Sequence, residues 1–531
     1  MGALRTASLL ALVIPFLFQA KSFAQVSTSS FDTDIGGPTT VVGNQPDYYS
    51  IIDQLYIDDM RTAMRNIWNH GLNPKAYWTD DMEWSYQKGG GYSRDLKYRA
   101  NQSYLQLLQD LYGGSADPQM IGYDVKFVKK NFLTPKQLAA IVLASGKRAD
   151  SVIEAVAPQN PPYLSVKEAL KKIYPNCAAN GQWIPITPSK KTLKLNSKDN
   201  AILGIKKRLA LLGYKITNMD NLFDGDVLTA VNDIQWNLRM KPDGIISPGG
   251  RTWNFLNISC MDRVRQMQAD MEKMRWFPQN FEDRYIFINL AMTYFALVDK
   301  TPGAPTTMSF RTINGRPDRK SPTMRDEIVT VIFNPFWVVP PTVFMQDKVE
   351  EIKNLQPYEI AAYFAQHNYE VWNKAFTKRL DPTTIDWWGI SQGTSSPDIY
   401  IRQKPHLGNA LGVIKFELTN SFAIYLHDTN QRELFIEPQR QLSSGCIRLE
   451  KPFDLAEYIL QGTQWNRAAI DAVVAKPGEV LSKSTEVPVK MKLPVYTAHL
   501  TSQMSSDGII RFVDDSYEQN GLILRYMSAA F

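Results

Sequence analysis

The sequence predicts a multi-domain α+β protein: a helical scaffold interrupted by a small three-helix module, followed by a mainly β domain that carries a helical capping insertion. Three observations predict it. Before about residue 283, apolar residues recur at three- and four-residue intervals. Between residues 193 and 258 two such stretches are punctuated by Asp-Gly turns. From Arg284 onward, short pieces rich in β-forming residues alternate with turn residues. At 531 residues the chain is long enough for several domains, each with its own core.

The first 24 residues read as a signal peptide. Arg5 supplies charge, Ala7 to Phe18 forms a short apolar run, and Ser22-Phe23-Ala24 places small residues near a cleavage position. The run contains Pro15 and is too short for a comfortable membrane span, although an uncleaved anchor stays open as the alternative. Loss of Arg5 and Lys21 with it would lower the net charge from +6 to +4. A balance that mild suits an anionic cell-wall polymer and gives no argument for nucleic acid. Residues 25–44 are polar and contain Gly, Pro and Thr, the composition of a mobile lead-in.

Residues 45–192 are assigned to the helical scaffold, with helices expected over Tyr49–Trp68, Tyr104–Tyr112 and Pro135–Ala144. Lys88-Gly89-Gly90-Gly91-Tyr92 lacks the Gly-Lys-Ser/Thr ending of a phosphate loop and reads as a turn. The helical pattern resumes over Met261–Met274, so residues 259–283 return to the scaffold after an insertion at 193–258.

Within that insertion Ile202, Ile205, Leu209 and Leu212 share a helix face, and Gly213-Tyr214 ends the helix. Phe223-Asp224-Gly225-Asp226 opens a second helix whose apolar face is Val227, Ala230, Val231, Ile234 and Leu238. Pro242-Asp243-Gly244 makes the next turn, before Thr252, Trp253 and Leu256. This pattern resembles the small three-helix peptidoglycan-binding domain of cell-wall enzymes, which implies either a grip on peptidoglycan or a spacer. Cys177 and Cys260 bracket the module; they are either a disulfide of an oxidising compartment or two buried thiols.

The β domain is expected over 284–531. Tyr285–Leu290 reads as a strand, and a cap over about 341–400 contains an expected helix from Val349 to Ala375, broken at Pro357, and the pair Trp387-Trp388. That pair would either wall a lid or pack inside the cap. The closing residues 491–531 read as short β pieces ending in Leu522–Tyr526.

The chemistry concentrates in Tyr425-Leu426-His427 and Ser443-Ser444-Gly445-Cys446-Ile447-Arg448. A histidine stands 19 residues before a cysteine. A thiol is a strong nucleophile only as thiolate, which a nearby imidazole can generate. Ser421–His427 reads as a strand with Tyr425 and His427 on one face and Ile424 and Leu426 on the other. Gly445 lets backbone approach a substrate carbonyl, and Phe453–Leu460 after the cysteine reads as an amphipathic helix. The competing reading is a buried structural cysteine with His427 capping a turn. Five histidines without His-Glu-x-x-His or paired Cys-x-x-Cys spacing give no support for a metal, and no cofactor is expected.

These motifs resemble the L,D-transpeptidases of bacterial cell walls, whose signature is a histidine, a gap of about 14 to 17 residues, Ser/Thr-His-Gly-Cys, an apolar residue and Asn or Arg. The gap here from His427 to Ser443 is 15 residues. Ser444 departs from the second histidine of many members and matches the large, multi-domain periplasmic branch. Arg402-Gln403-Lys404-Pro405, Asn409-Ala410-Leu411-Gly412, Asn334-Pro335-Phe336-Trp337 and Met274-Arg275-Trp276-Phe277-Pro278 resemble the same branch. His406 stands where that branch has glycine, and neither it nor His367 reads as catalytic.

The resemblance implies peptidoglycan tetrapeptide stems as substrate, a periplasmic location, room for cell-wall synthesis partners, and carbapenems as inhibitors. It implies Cys446 as nucleophile and His427 as base. Backbone N–H groups of Gly445 and Cys446, with the Tyr425 hydroxyl, would hold the oxyanion. Arg448 would pair with a substrate carboxylate or, structurally, with Glu450 or another acid. Rival outcomes are an L,D-carboxypeptidase, lipoprotein attachment through the same thioester, or a non-catalytic wall-binding scaffold.

Overall fold

In the computed structural model, residues 47–89, 93–178, 180–303 and 305–531 are described. The leader over 1–24, the lead-in over 25–44 and most of the glycine-rich turn at 88–92 lie outside the described residues. Among the described residues no helix is long and apolar enough to cross a membrane.

The expected helix over Tyr49–Trp68 is three pieces: Tyr48–Ile52, Ile57–Arg65 and a 3₁₀ turn Ile67–His70. Apolar periodicity runs through the break, but Leu55 reaches the core from the intervening turn. Tyr104–Tyr112 is the end of a longer helix, Arg94–Gly113, started by the Ser93 hydroxyl accepting from Leu96 N–H. Pro135–Ala144 begins at a Thr134/Gln137 capping box with proline at its first turn.

The segment after Cys177 forms helices Asn200–Leu211, Gly225–Asn237 and Arg251–Asn257, the first two N-capped by Asp199 and Asp224. Gln235 is buried among them. Its Nε2 donates to Asp243 Oδ1 at 2.7 Å and its Oε1 accepts from Gly244 N–H at 3.0 Å, which pins the Asp-Gly turn. Cys177 and Cys260 are disulfide-bonded across a separation of 83 residues. By loop-closure entropy a bridge of that span contributes roughly 4–5 kcal/mol.

Cys260–Trp276 is the axle of the molecule. Asp270, Glu272, Lys273 and Arg275 on it are all fully buried. Neighbours from both halves bond them: Lys273 Nζ donates to His499 O and Asn520 Oδ1 at 2.6 and 2.8 Å, and Asp270 accepts from Ser502 Oγ at 2.6 Å. Glu272 accepts from Ala116 N–H at 2.7 Å on the scaffold side. The tail departs from expectation: Leu522–Tyr526 belongs to a helix, Gln519–Tyr526, not a strand. Its Ile523, with Met527 and Ala529, packs into the N-terminal helical core instead of completing the β domain.

The β domain is a nine-stranded sheet. Its strands are β1 (Arg284–Asn289), β2 (Tyr294–Asp299), β3 (Thr306–Gly315), β4 (Met324–Phe333), β9 (Ile414–Leu418), β10 (Leu426–His427), β11 (Gln441–Ser443), β12 (Ile447–Leu449) and β13 (Thr485–Ala498). The order is β11-β3-β12-β10-β9-β4-β13-β1-β2, and a further β2–β3 pairing closes it into a barrel. Ile286, Phe295, Ile328, Phe416, Leu426, Ile447 and Val495 fill the core, as alternating positions of each strand point inward. Pro452–Ile459 is the helix expected after the cysteine.

Between β4 and β9 lies the cap, which has its own core around Phe344, Val349, Phe364 and Trp387. It contains a four-stranded sheet of β5 (Trp337–Val338), β8 (Ile399–Gln403), β6 (Tyr369–Asn373) and β7 (Arg379–Leu380) in that order. The expected helix Val349–Ala375 stops at Ile352, restarts with Pro357 at its first turn and ends at Gln366. Asn368 turns the chain with φ +55, and Tyr369 enters β6. Of the tryptophan pair, Trp387 is buried and donates to Pro382 O, whereas Trp388 is exposed.

Candidate active site

β10 and β12 run parallel, with Leu426 opposite Ile447 and His427 opposite Arg448. Leu426 and Ile447 point into the barrel core. Period-two alternation therefore puts Tyr425, His427, Cys446 and Arg448 together on the other face. The expected strand Ser421–His427 is shortened to its last two residues, because Ala423 takes φ +56 and bends the approach.

His427 is 4% exposed. Burial, reinforced by the Arg448 cation and then Lys415, lowers its pKa from 6.5 to about 3, so the resting imidazole is neutral. Its Nδ1 has no hydrogen-bond partner among the described residues. Cys446 is partly exposed, and its thiol donates to Ala423 O at 3.6 Å. Burial pushes the thiol's pKa up, against the pull of Tyr425 and of the Lys415 and Arg448 cations. The resting pair is thus neutral thiol and neutral imidazole, with no hydrogen bond between them among the described residues. Resting active-site hydrogen bonds commonly tighten only with substrate bound.

Tyr425 stays a phenol, its pKa held well above 10 by burial and then by the adjacent sulfur, with which its hydroxyl interacts. The described contacts leave the Cys446 N–H without a partner. The Gly445 N–H, expected as a second oxyanion donor, is taken by Ser443 Oγ at 3.2 Å. Gly445 serves instead as a turn residue: φ is +116, and a Cβ there would lie 3.3 Å from Ile424 Cδ1.

Arg448 does not pair with Glu450. Its Nη1 donates to the neutral Gln431 Oε1 at 2.8 Å, while Glu450 takes the Arg311 guanidinium. The Arg448 charge has no acidic partner among the described residues. Ser444 accepts a 3.0 Å hydrogen bond from Arg319 Nη1.

Two neighbours of these residues were missed in the sequence. Lys415 on β9 is the register partner of His427, so Lys415, His427 and Arg448 form a row across three strands. Its Nζ lies 4.2 Å above the Tyr425 ring and 2.6 Å from Glu417. The alternation of Ile414-Lys415-Phe416-Glu417 marked Lys415 as outward-facing but not what it faced. Arg319 lies in the β3–β4 turn, where no local signal distinguishes it. Among the described residues no cluster of three or more His, Cys, Asp or Glu side chains could hold a metal.

Residues 283–474 match the L,D-transpeptidase catalytic domain, and residues 52–170 match a family described as a scaffold domain. A curated Haemophilus influenzae protein, whose name places it among the L,D-transpeptidases, is 32% identical over 204 residues. That alignment covers 38% of this chain and 39% of the relative, so the chain matches well under half of the relative's length. Among solved structures, an L,D-transpeptidase from Xylanimonas cellulosilytica is 12% identical, covering 59% of this chain and 100% of that one, with a TM-score of 0.18. L,D-transpeptidase 3 from Mycobacterium tuberculosis is 9% identical, covering 41% and 62%, with a TM-score of 0.17. Scores that low carry no argument. What the family match over the barrel and the curated relative do carry is a likeness: residues 283–474 match an L,D-transpeptidase catalytic domain, and the helical residues 52–170 before them match a scaffold domain.

Proposed function

We propose that this chain is a peptidoglycan L,D-transpeptidase that forms 3→3 cross-links through a thioester on Cys446. The observation that carries the reading is the convergence of Tyr425, His427, Cys446 and Arg448 on one face of the barrel beside an unpartnered imidazole nitrogen.

The Cys446 sulfur attacks the carbonyl between the third and fourth residues of a tetrapeptide stem as neutral His427 takes the thiol proton. The C–S bond forms, the C–N bond to D-alanine breaks, and His427 returns the proton to the departing amine. The Cys446 N–H and Tyr425 hydroxyl stabilise the oxyanion. An amine on the third residue of a second stem then attacks the thioester, forming the new amide and regenerating the thiol. Arg448, free of acidic partners, binds a stem carboxylate, for which a planar guanidinium is well shaped. The three-helix module at 193–258 holds peptidoglycan near the site, and the leader pattern supports a periplasmic location.

The test is mass spectrometry of protein lacking residues 1–24 after incubation with disaccharide-tetrapeptide, with Cys446→Ala beside it. A dimer formed with loss of one D-alanine, absent from the variant, supports cross-linking. A shortened monomer alone replaces the reading with carboxypeptidase. No product from either protein overturns it in favour of a wall-binding scaffold.

A further inference from the structure

The turn at residues 316–321 holds the three residues before Cys446 one after another. Arg316 N–H donates to Ser443 O at 3.0 Å, Arg319 Nη1 to Ser444 Oγ at 3.0 Å, and Ser321 Oγ to Gly445 O at 2.6 Å. The other hydrogen bonds of the Arg319 guanidinium go to the cap. Nη1 and Nη2 grip Asp347 Oδ2 and Oδ1 at 2.7 and 2.6 Å, while Nε and Nη2 share Gln346 Oε1 at 3.1 and 2.7 Å. Arg319 is 9% exposed, and it holds the Asp347 carboxyl below the usual carboxylate range.

We propose that Arg319 is a positioning residue that links the seating of the cap to the placement of Cys446, so that productive attack requires the cap's Gln346 and Asp347 in place. This rests on the reading of Cys446 as nucleophile. A guanidinium engaged as a fork at Asp347 has one orientation, and that orientation aims Nη1 at Ser444. Between Ser444 and Cys446 stands only Gly445, so a shift of Ser444 is passed on through a single residue of high backbone freedom, restrained by Ser321 at its carbonyl and Ser443 at its N–H. Ser444, at the place where many L,D-transpeptidases carry a second histidine, thereby has a physical role: its hydroxyl is the small acceptor this guanidinium needs.

The test is a double-mutant cycle on the whole chain with two readouts: turnover of disaccharide-tetrapeptide, and alkylation of Cys446, the chain's free thiol, by iodoacetamide. Alkylation needs no wall substrate, so it separates failure of this inference from failure of the transpeptidase reading. Arg319→Gln, Ser444→Ala and Asp347→Asn should each lower kcat about tenfold or more, with KM nearly unchanged, because a small misplacement of a nucleophile is costly. Each should also change the alkylation rate. In an Arg319→Gln background the other two substitutions should add less than about twofold to either readout, since they act through one residue. Arg319→Lys keeps the charge without the fork and should behave like Arg319→Gln. Ser444→Ala removes one exposed hydroxyl and guards against simple unfolding, which thermal melting would also show. Additive effects, or wild-type kcat and alkylation in both Ser444→Ala and Asp347→Asn, would overturn the proposal.

Discussion

His427 and Arg448 are register partners on parallel strands, so an imidazole and a guanidinium share one face of the barrel with no acid between them. The guanidinium adds to burial in holding His427 neutral, with a pKa of about 3. An imidazole so held is neutral at rest, not a pre-formed imidazolium partner of a thiolate.

Removing the cation should loosen that hold. In Arg448→Gln the His427 pKa rises, by about one unit, since a like charge a few ångströms away typically shifts a group by that order. NMR titration of the His427 ring in both proteins checks it; an unmoved titration would mean the two side chains do not sense each other.

Lys415 lowers the pKa of both Cys446 and His427. Lys415→Met should therefore raise the thiol pKa further above its ordinary value of 9.0. Alkylation by iodoacetamide at pH 8 should slow by about three- to tenfold, as expected from losing one nearby cation. The same rate as wild type across pH 7–10 would remove Lys415 from the site's electrostatics.

Tyr425→Phe keeps the ring under Lys415 and removes only the hydroxyl beside the sulfur. Turnover of disaccharide-tetrapeptide should fall by about 100-fold in kcat, the usual cost of one oxyanion donor. A change confined to KM would assign the hydroxyl to substrate binding instead.

Acid should destabilise the fold through buried neutral histidines. His70, 1% exposed and bonded to Tyr163 and Glu154, has its pKa lowered to about 4 chiefly by burial. Between pH 6.5 and about 4 the unfolded chain binds this proton and the folded chain does not, so stability falls as pH falls across that window. The contribution is roughly 3 kcal/mol at its full extent. Urea melts at pH 7 and pH 4.5 should show a smaller loss for His70→Gln than for wild type. An identical loss in both would place the acid sensitivity elsewhere.

Local chemistry was legible where one segment carries it. The helix over Pro135–Ala144, the strand from Arg284 and the helix from Pro452 all stand close to where spacing put them. The tail was not: Leu522-Ile523-Leu524 is an apolar run with no helical or β period of its own. It is a helix because Ile523 has an N-terminal helical core to enter, more than 350 residues away in sequence. The helix expected through Tyr49–Trp68 failed in the opposite sense, since periodicity continues across a turn that only packing imposes.

The sequence alone determined the glycine turn before Cys446 and the shared face of Tyr425 and His427, because turn chemistry and strand alternation are local properties of the chain. Tertiary structure alone decided that His427 is neutral, that the Gly445 N–H is occupied, that Lys415 flanks the site, and that Arg319, 125 residues from Ser444, ties the nucleophile loop to the cap. Protonation and positioning follow burial and charge at close range, and those depend on which distant strands and turns lie side by side.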